Sequence, residues 1–232
     1  MRSEELPVIR QLPLFADMAE AHFAALMQAA YLQVFPPQVK LIAEGDPADF
    51  LHVVIEGCVE LFAEANGRET TMALARPVST FILAAVLKDA VYLMSARTLE
   101  KSRILMIPSN DIRGNFNRDA AFTRALVGEL ASAYRTVIKE HKNQKLRTGV
   151  ERLANFLLAL HHNQGETGAV VLPCDKRTLA ALLGMAPENL SRAFGTLKPY
   201  GVSVNGVEIS LAKLKDLETL AKPTPFIDDQ SK

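Results

Sequence analysis

The sequence predicts an α+β fold in three parts: a β-rich N-terminal sandwich or barrel, one long helix, and a C-terminal pair of short helices with a hairpin beside them. Three observations predict it. Residues 38–107 are short apolar stretches broken by turn signals, the texture of evenly spaced strands. From Ala120 onward apolar residues recur at helical steps, with no proline between Asn110 and His162. In residues 172–211, two short helical patterns flank a glycine and are followed by alternating apolar positions. With 232 residues the chain is too long for one small domain and suits two. The expected division is 1–119 for the β domain, 120–146 for the long helix, 147–222 for the C-terminal domain and 223–232 for a flexible tail.

Asp17, with Glu20 three positions on, has the capping-box arrangement. It predicts a helix on which Phe23, Leu26, Met27 and Ala30 share a face, and Pro36-Pro37 closes this helical region. Val39 to Ala43, Leu51 to Ile55 and Val59 to Phe62 follow as extended runs, separated by Gly45-Asp46-Pro47 and Glu56-Gly57. Asn66-Gly67 follows, and Asn-Gly between two extended runs is the strongest short-range hairpin signal a sequence carries. Residues 83–93 predict a short helical turn inside the β region. Next, Phe122, Leu126, Leu130, Ala133, Val137 and His141 step by four, three or four residues along a helix of over about 30 Å. Such a seam packs either on its own β domain or on the same helix of a second chain; the second reading makes Phe122, Leu126, Leu130, Ala133 and Val137 dimerisation residues. Gly149 marks a joint, after which Leu153, Phe156, Leu157 and Leu160 line the inner face of another helix.

In the C-terminal part, Asp175 is placed to cap a helix starting at Lys176, with Leu179, Ala180, Leu182 and Leu183 as its apolar side. Gly184 suits the left-handed backbone of a tight turn. Pro187 stands in the first turn of a second helix, which carries Leu190, Ala193, Phe194 and Leu197 inward and ends at Pro199-Tyr200-Gly201. Alternation around Asn205-Gly206 adds a hairpin, so the unit reads as a winged helix-turn-helix. On the second helix Glu188, Asn189, Ser191 and Arg192 point outward. Glu188 and Arg192, at i and i+4, can form a surface ion pair. The same spacing suits a major groove, where Arg donates twice to guanine and Glu accepts from the cytosine amino group.

Charge supports the second use. The whole chain balances 26 basic against 26 acidic residues, but residues 142–200 hold eight basic (Lys142, Lys145, Arg147, Arg152, Lys176, Arg177, Arg192, Lys198) and four acidic ones, a local excess of four. Cys58 and Cys174 are the two cysteines, far apart and without a CxxC partner, which argues against a disulfide framework or a structural zinc. No apolar signal core follows Met1, and the longest apolar run, 81–87, is too short to span a bilayer; a cytoplasmic protein with no membrane association is expected.

Taken together, the order of parts resembles the Crp/Fnr family of bacterial transcription regulators over nearly the whole chain. Leu12-Pro13-Leu14-Phe15 resembles the family's opening, and Gly45-Asp46-Pro47-Ala48-Asp49-Phe50-Leu51-His52-Val53-Val54-Ile55-Glu56-Gly57 its β-roll signature. Glu188-Asn189-Leu190-Ser191-Arg192 matches the Glu-x-x-Ser-Arg pattern of the Fnr branch, and with Ala186-Pro187 it is similar to the Dnr subgroup; the chain at large resembles FtrB-type regulators. The resemblance implies a cyclic-nucleotide-binding-like β-roll (a double-stranded β-helix, or jelly roll), a long dimerisation helix and a winged helix-turn-helix. It also implies a homodimer on palindromic double-stranded DNA with half-sites like TTGAT, RNA polymerase as a partner, and Lys176 and Arg177 on the DNA. A TGTGA half-site is disfavoured, because Pro187 stands where the cyclic-AMP-responsive branch has arginine.

The effector is left open. Cyclic-nucleotide-binding members hold the phosphate with a Gly-Glu loop and an Arg-Ser pair, whereas here the sequence is Phe81-Ile82-Leu83-Ala84-Ala85-Val86 and then Ala90-Val91, so cyclic AMP is not expected. An iron–sulfur cluster is not expected either, since no cysteine precedes Cys58. Haem stays open through His22, His52, His141, His161, His162 or Cys58, as does an apolar molecule enclosed by Phe81, Leu83, Met94 and the long helix, although those residues read first as ordinary core. No nucleophile elbow, P-loop or metal motif points to an enzyme. The competing function is a ligand-binding module that regulates a protein partner, which leaves the basic excess and the outward face of the second helix without a purpose.

Overall fold

The structure is a computed structural model that describes residues 5–229. It divides into two units, with the division between Ala133 and Tyr134. The first contains α1 (Leu6–Arg10), α2 (Glu20–Ala29), β1 (Tyr31–Phe35), β2 (Lys40–Ile42), β3 (Phe50–Glu56), β4 (Val59–Ala65), β5 (Arg68–Ala75), β6 (Ser79–Phe81), α3 (Leu83–Lys88), β7 (Ser95–Thr98), β8 (Ser102–Pro108), α4 (Ser109–Phe116) and the first half of α5 (Ala120–Leu146). Its strands form two four-stranded antiparallel sheets, ordered β1-β8-β3-β6 and β2-β7-β4-β5. One core joins them, with Leu51, Val53, Ile104, Leu105 and Ile107 from the first sheet, Val59, Leu61 and Ala96 from the second, and Phe15, Phe23 and Leu26 from the segment before β1.

The turns follow the local sequence. Asn66 and Gly67 both have positive φ (52° and 71°) between the paired Ala65 and Arg68, as a two-residue type I′ hairpin requires. Gly57, at φ +90°, is needed for space as well: a Cβ there would stand 2.7 Å from the Lys101 carbonyl oxygen. Pro36-Pro37, by contrast, does not close a helical region. Strand β1 already begins at Tyr31 and pairs with β8 along Tyr31–Phe35; its aromatic and apolar residues follow the helix after a single extended residue, Ala30, too short a break to read as a boundary.

The helix start at Asp17 is a second correction. The N-cap of α2 is Ala19, and no side chain of its own segment caps it. Asp119, distant in sequence, does so: its Oδ2 accepts the Ala19 N–H and meets His22 Nδ1, each at 2.9 Å. Its Oδ1 accepts the N–H groups of Ala121 and Phe122 at 3.1 and 3.0 Å, capping α5. One carboxylate thus serves two helices, and the Phe122 N–H and then the His22 bond hold its pKa down to about 2.

The α5 seam divides. Phe122 and Leu126 are fully buried in the core of their own unit and Leu130 packs partly against it, so the first half of the expected dimer seam is covered by its own chain. Ala133 and Val137 are exposed, together with Val127, Tyr134 and Ile138.

The second unit contains the rest of α5, then α6 (Gly149–Asn163), β9 (Ala169–Val171), α7 (Lys176–Leu182), α8 (Pro187–Leu197), a 3-10 turn (Lys198–Tyr200), β10 (Val202–Asn205), β11 (Glu208–Leu211) and α9 (Leu214–Ala221). Leu153, Leu157, Leu179, Leu190, Leu197, Ile209 and Leu217 form its core. The three strands are antiparallel in the order β10-β11-β9. The hairpin turn lies one residue later than Asn205-Gly206 suggests: Asn205 pairs with Glu208, and Gly206-Val207 make the turn.

The segment expected as a flexible tail, 223–232, is described as far as Asp229. Residues 225–228 form a turn, and Asp228 pairs with Arg147 at the end of α5; 230–232 lie outside the described residues.

Candidate nucleic-acid interface

The helix-turn-helix is built from local signals that act as the sequence predicts. Asp175 Oδ1 accepts the Thr178 N–H at 2.8 Å and starts α7. Gly184 takes φ +62° at the turn, where a Cβ would press into the Gln144 side chain. Ala186 is the extended N-cap of α8 and Pro187 its first residue. Leu190, Ala193, Phe194 and Leu197, at i, i+3, i+4 and i+7, are buried and fix the helix's rotation. That rotation turns Glu188, Asn189, Ser191 and Arg192 to the exposed side.

All six residues singled out for DNA contact are exposed: Glu188, Asn189, Ser191 and Arg192 on α8, Lys176 and Arg177 in the first turn of α7. Glu188 and Arg192 make no ion pair among the described residues, so the i, i+4 pair their spacing allows is not formed. Each group keeps its full hydrogen-bonding capacity, Arg192 with five N–H donors and Glu188 with two acceptor oxygens. A crevice of about 410 Å³ runs along this face, lined by Thr148, Arg152, Met185, Asn189, Arg192 and Thr196 among others.

Arg152 is the residue that spacing did not single out. Its guanidinium donates to the carbonyls of Leu183 at 2.8 Å, Gly184 at 3.3 Å and Arg147 at 2.7 Å. It thereby ties the turn between α7 and α8 to the start of α6 and neutralises the carbonyl end of α7; burial lowers its pKa from the ordinary guanidinium value. In sequence it is one basic residue among eight, and only the fold carries it to the turn. The hairpin β10–β11, by contrast, carries no cation, and Glu208 stands beside its turn.

In the β unit, the stretch that would face a phosphate is apolar. Phe81, Leu83, Ala85 and Val86 are buried in the core, with Met94 packed against it. Arg113, a cation of α4 beside α3, is tied to Asp89 at 3.0 Å and to the Val86 carbonyl at 2.8 Å. His52 is 2 % exposed and stacks on Phe81 at 5.1 Å, and its Nδ1 has no hydrogen-bond partner. Desolvation lowers its pKa from 6.5 to about 4, so the ring is neutral. Burial raises the Cys58 thiol pKa. Among the described residues no cluster of three or more His, Cys, Asp or Glu could hold a metal ion, and no helix is long and apolar enough to cross a membrane.

Comparison with known proteins places both units. Residues 32–119 match the cyclic nucleotide-binding domain family, and residues 151–222 match the Crp-like helix-turn-helix domain family. The transcriptional regulator SdrP of Thermus thermophilus is 32 % identical over 182 residues, which is 76 % of this chain and 86 % of that protein. A solved structure described as a cyclic nucleotide binding protein, from Ruegeria pomeroyi, is 28 % identical with a TM-score of 0.63, covering 96 % of this chain and all of its own. A Crp/Fnr-family regulator from Eubacterium rectale shares the fold at a TM-score of 0.74 and 19 % identity, over 91 % of this chain and 99 % of that one. With a β-roll, a long helix and a helix-turn-helix in the same order, the chain belongs to the Crp/Fnr family of DNA-binding transcription regulators and is not an enzyme.

Proposed function

We propose that the protein acts in the cytoplasm as a homodimer that reads a palindromic operator with α8 of each copy, under the control of an effector held by the β-roll. The unpaired, exposed polar face of α8 carries this reading. In the major groove Arg192 donates two hydrogen bonds to a guanine, Glu188 accepts from a cytosine amino group, and Ser191 and Asn189 contact neighbouring edges. Lys176 and Arg177 contact backbone phosphates and set the register. The Glu-x-x-Ser-Arg pattern favours TTGAT-like half-sites, and two-fold symmetry places them about one helical turn apart. RNA polymerase is the partner such a regulator addresses once bound.

The second copy is proposed to dock on the exposed part of α5. Val127, Leu130, Tyr134, Val137 and His141 step by three, four, three and four residues, a heptad seam that continues where the roll's own core ends. This replaces Phe122 and Leu126 as dimer contacts and keeps Leu130 and Val137, with Ala133 beside them.

Neither a cyclic nucleotide nor haem fits the residues of the roll. A phosphodiester buried beside Phe81, Leu83 and Val86, with Arg113 already engaged, would cost several kcal/mol. Of the histidines, His161 and His162 stand on α6, outside the roll, and His22 precedes its first strand, with Nδ1 on the capping carboxylate of Asp119. His52 is enclosed by the rings of Phe81 and Phe50, and His141 lies on α5, outside the roll. Cys58 is 2 % exposed between β3 and β4, with its N–H donating to Ser102 Oγ at 3.2 Å. The effector we propose is therefore an uncharged small molecule.

The deciding measurement is fluorescence anisotropy on a TTGAT-N4-ATCAA duplex and a scrambled duplex across a salt series. Preference for the palindrome by about a thousandfold or more is expected. Equal affinities with equal salt slopes would overturn the half-site assignment.

A further inference from the structure

We infer that the C-terminal segment 223–229 is a strap that fixes the angle between α5 and α6, with Arg147 as the positioning residue and Asp228 as its fastening. Only the effect on DNA rests on the reading proposed above; the strap itself does not. Arg147 and Thr148 alone separate Leu146, the last residue of α5, from Gly149, the first of α6. A joint this short is where a change of angle between two helices would be absorbed. Arg147 is held on both sides of it. Its guanidinium forks onto the two carboxylate oxygens of Asp228, at 2.7 and 2.5 Å, and donates to Asn143 Oδ1 at 3.2 Å. Its carbonyl accepts from Arg152 of α6 at 2.7 Å. The Arg147 side chain is only 7 % exposed, and a bidentate pair shielded to this degree is directional and stronger than a rim contact.

Asp228 is itself fixed. Its Oδ2 accepts the Thr224 N–H at 2.7 Å, while the N–H groups of Ile227 and Asp228 donate to the Thr224 carbonyl at 3.0 and 2.9 Å. Lys142 sits 5.8 Å from the centre of the Phe226 ring and donates to the Phe226 carbonyl at 3.4 Å, and Lys139 donates to the Asp229 carbonyl. At its other end the strap leaves α9, whose Ala221 carbonyl accepts from the buried Asn155 of α6 at 2.7 Å. The path α6, α9, strap, α5 is therefore a closed ring around the two-residue joint. While the ring is closed, α5 cannot swing against α6 without breaking the Arg147–Asp228 pair. An operator with two half-sites demands reading heads at a set separation, whereas a single half-site does not. The strap accordingly preorganises the dimer for the palindrome.

The test compares the full chain with Asp228→Ala, Asp228→Glu and a chain ending at Lys222. Hydrogen–deuterium exchange at residues 146–150 should rise about tenfold or more in Asp228→Ala and in the shortened chain, with α8 and α9 unchanged, and fall back in Asp228→Glu. Affinity for the palindrome should drop about tenfold while that for a single half-site holds within about twofold. Unchanged exchange at the joint in Asp228→Ala would overturn the strap. Equal losses on both duplexes would overturn its angular role and make the tail a DNA contact. Should no protein, parent included, prefer its operator, the half-site assignment fails, and the exchange data still decide the strap.

Discussion

Arg192 and Glu188 face solvent one turn apart on α8 without pairing, so each is available to a base. Arg192→Ala is expected to cost about 1–3 kcal/mol on the specific duplex and to relax discrimination at one base pair. An equal loss on scrambled DNA would reassign Arg192 to phosphate. Lys176→Ala should instead weaken both duplexes alike and lower the salt slope by about one. His52 makes a prediction of a different kind. Its folded pKa of about 4 lies below the usual 6.5, so between those values the unfolded chain takes a proton that the folded chain refuses. The stability this group confers is complete above pH 6.5, falls on acidification and levels off below pH 4, a total of about 3 kcal/mol. His52→Leu also removes the unpartnered Nδ1, worth about 1–3 kcal/mol. Urea denaturation at pH 7.5 and pH 5 should show the variant losing less than the parent; equal losses would clear His52 of the effect.

At the scale of elements, the helix starts separate local from tertiary causes. Asp175, Gly184 and Pro187 act on backbone within a few residues of themselves, so α7, the turn and α8 were legible in sequence. The start of α2 was not, because its capping carboxylate belongs to Asp119 at the head of α5. Asp119→Ala removes caps from two helices at once and is expected to cost about 2 kcal/mol or more in chemical denaturation. Its pH signature runs opposite in origin and lower in range than that of His52: a carboxyl held at about 2 contributes stability that is present above pH 3.8 and is lost as pH falls through about 2. The α7–α8 turn is equally testable. Gly184→Ala places a Cβ at φ +62° against Gln144 and should cost about 1–2 kcal/mol while disturbing the set of α8.

For the molecule as a whole, α5 carries two loads along its 27 residues. Its first turns are core and its later turns expose Tyr134, Val137 and Ile138. Substitutions should therefore split by position. Tyr134→Lys with Val137→Lys is expected to yield folded monomers in sedimentation velocity, because charge replaces the proposed seam. Leu126→Ala should instead destabilise the β-roll by about 2–5 kcal/mol, the cost of a core cavity, and leave assembly of the folded protein unchanged. Folded Tyr134→Lys/Val137→Lys protein that still sediments as a dimer would move the interface off α5.

The sequence by itself determined the order of parts, the hairpin at Asn66-Gly67, the helix-turn-helix and the outward residues of α8. Each of these follows from backbone sterics or from periodicity within a dozen residues. Only the tertiary structure decided what lies opposite each face. It assigned Phe122 and Leu126 to their own roll, gave α2 its cap from Asp119, placed Arg152 on the α7–α8 turn and brought Asp228 back to Arg147. The physical reason is the same in all four. Periodicity shows that a face must be covered and that a charge must find a partner, but contacts between residues distant in the chain choose which group supplies the cover or the charge.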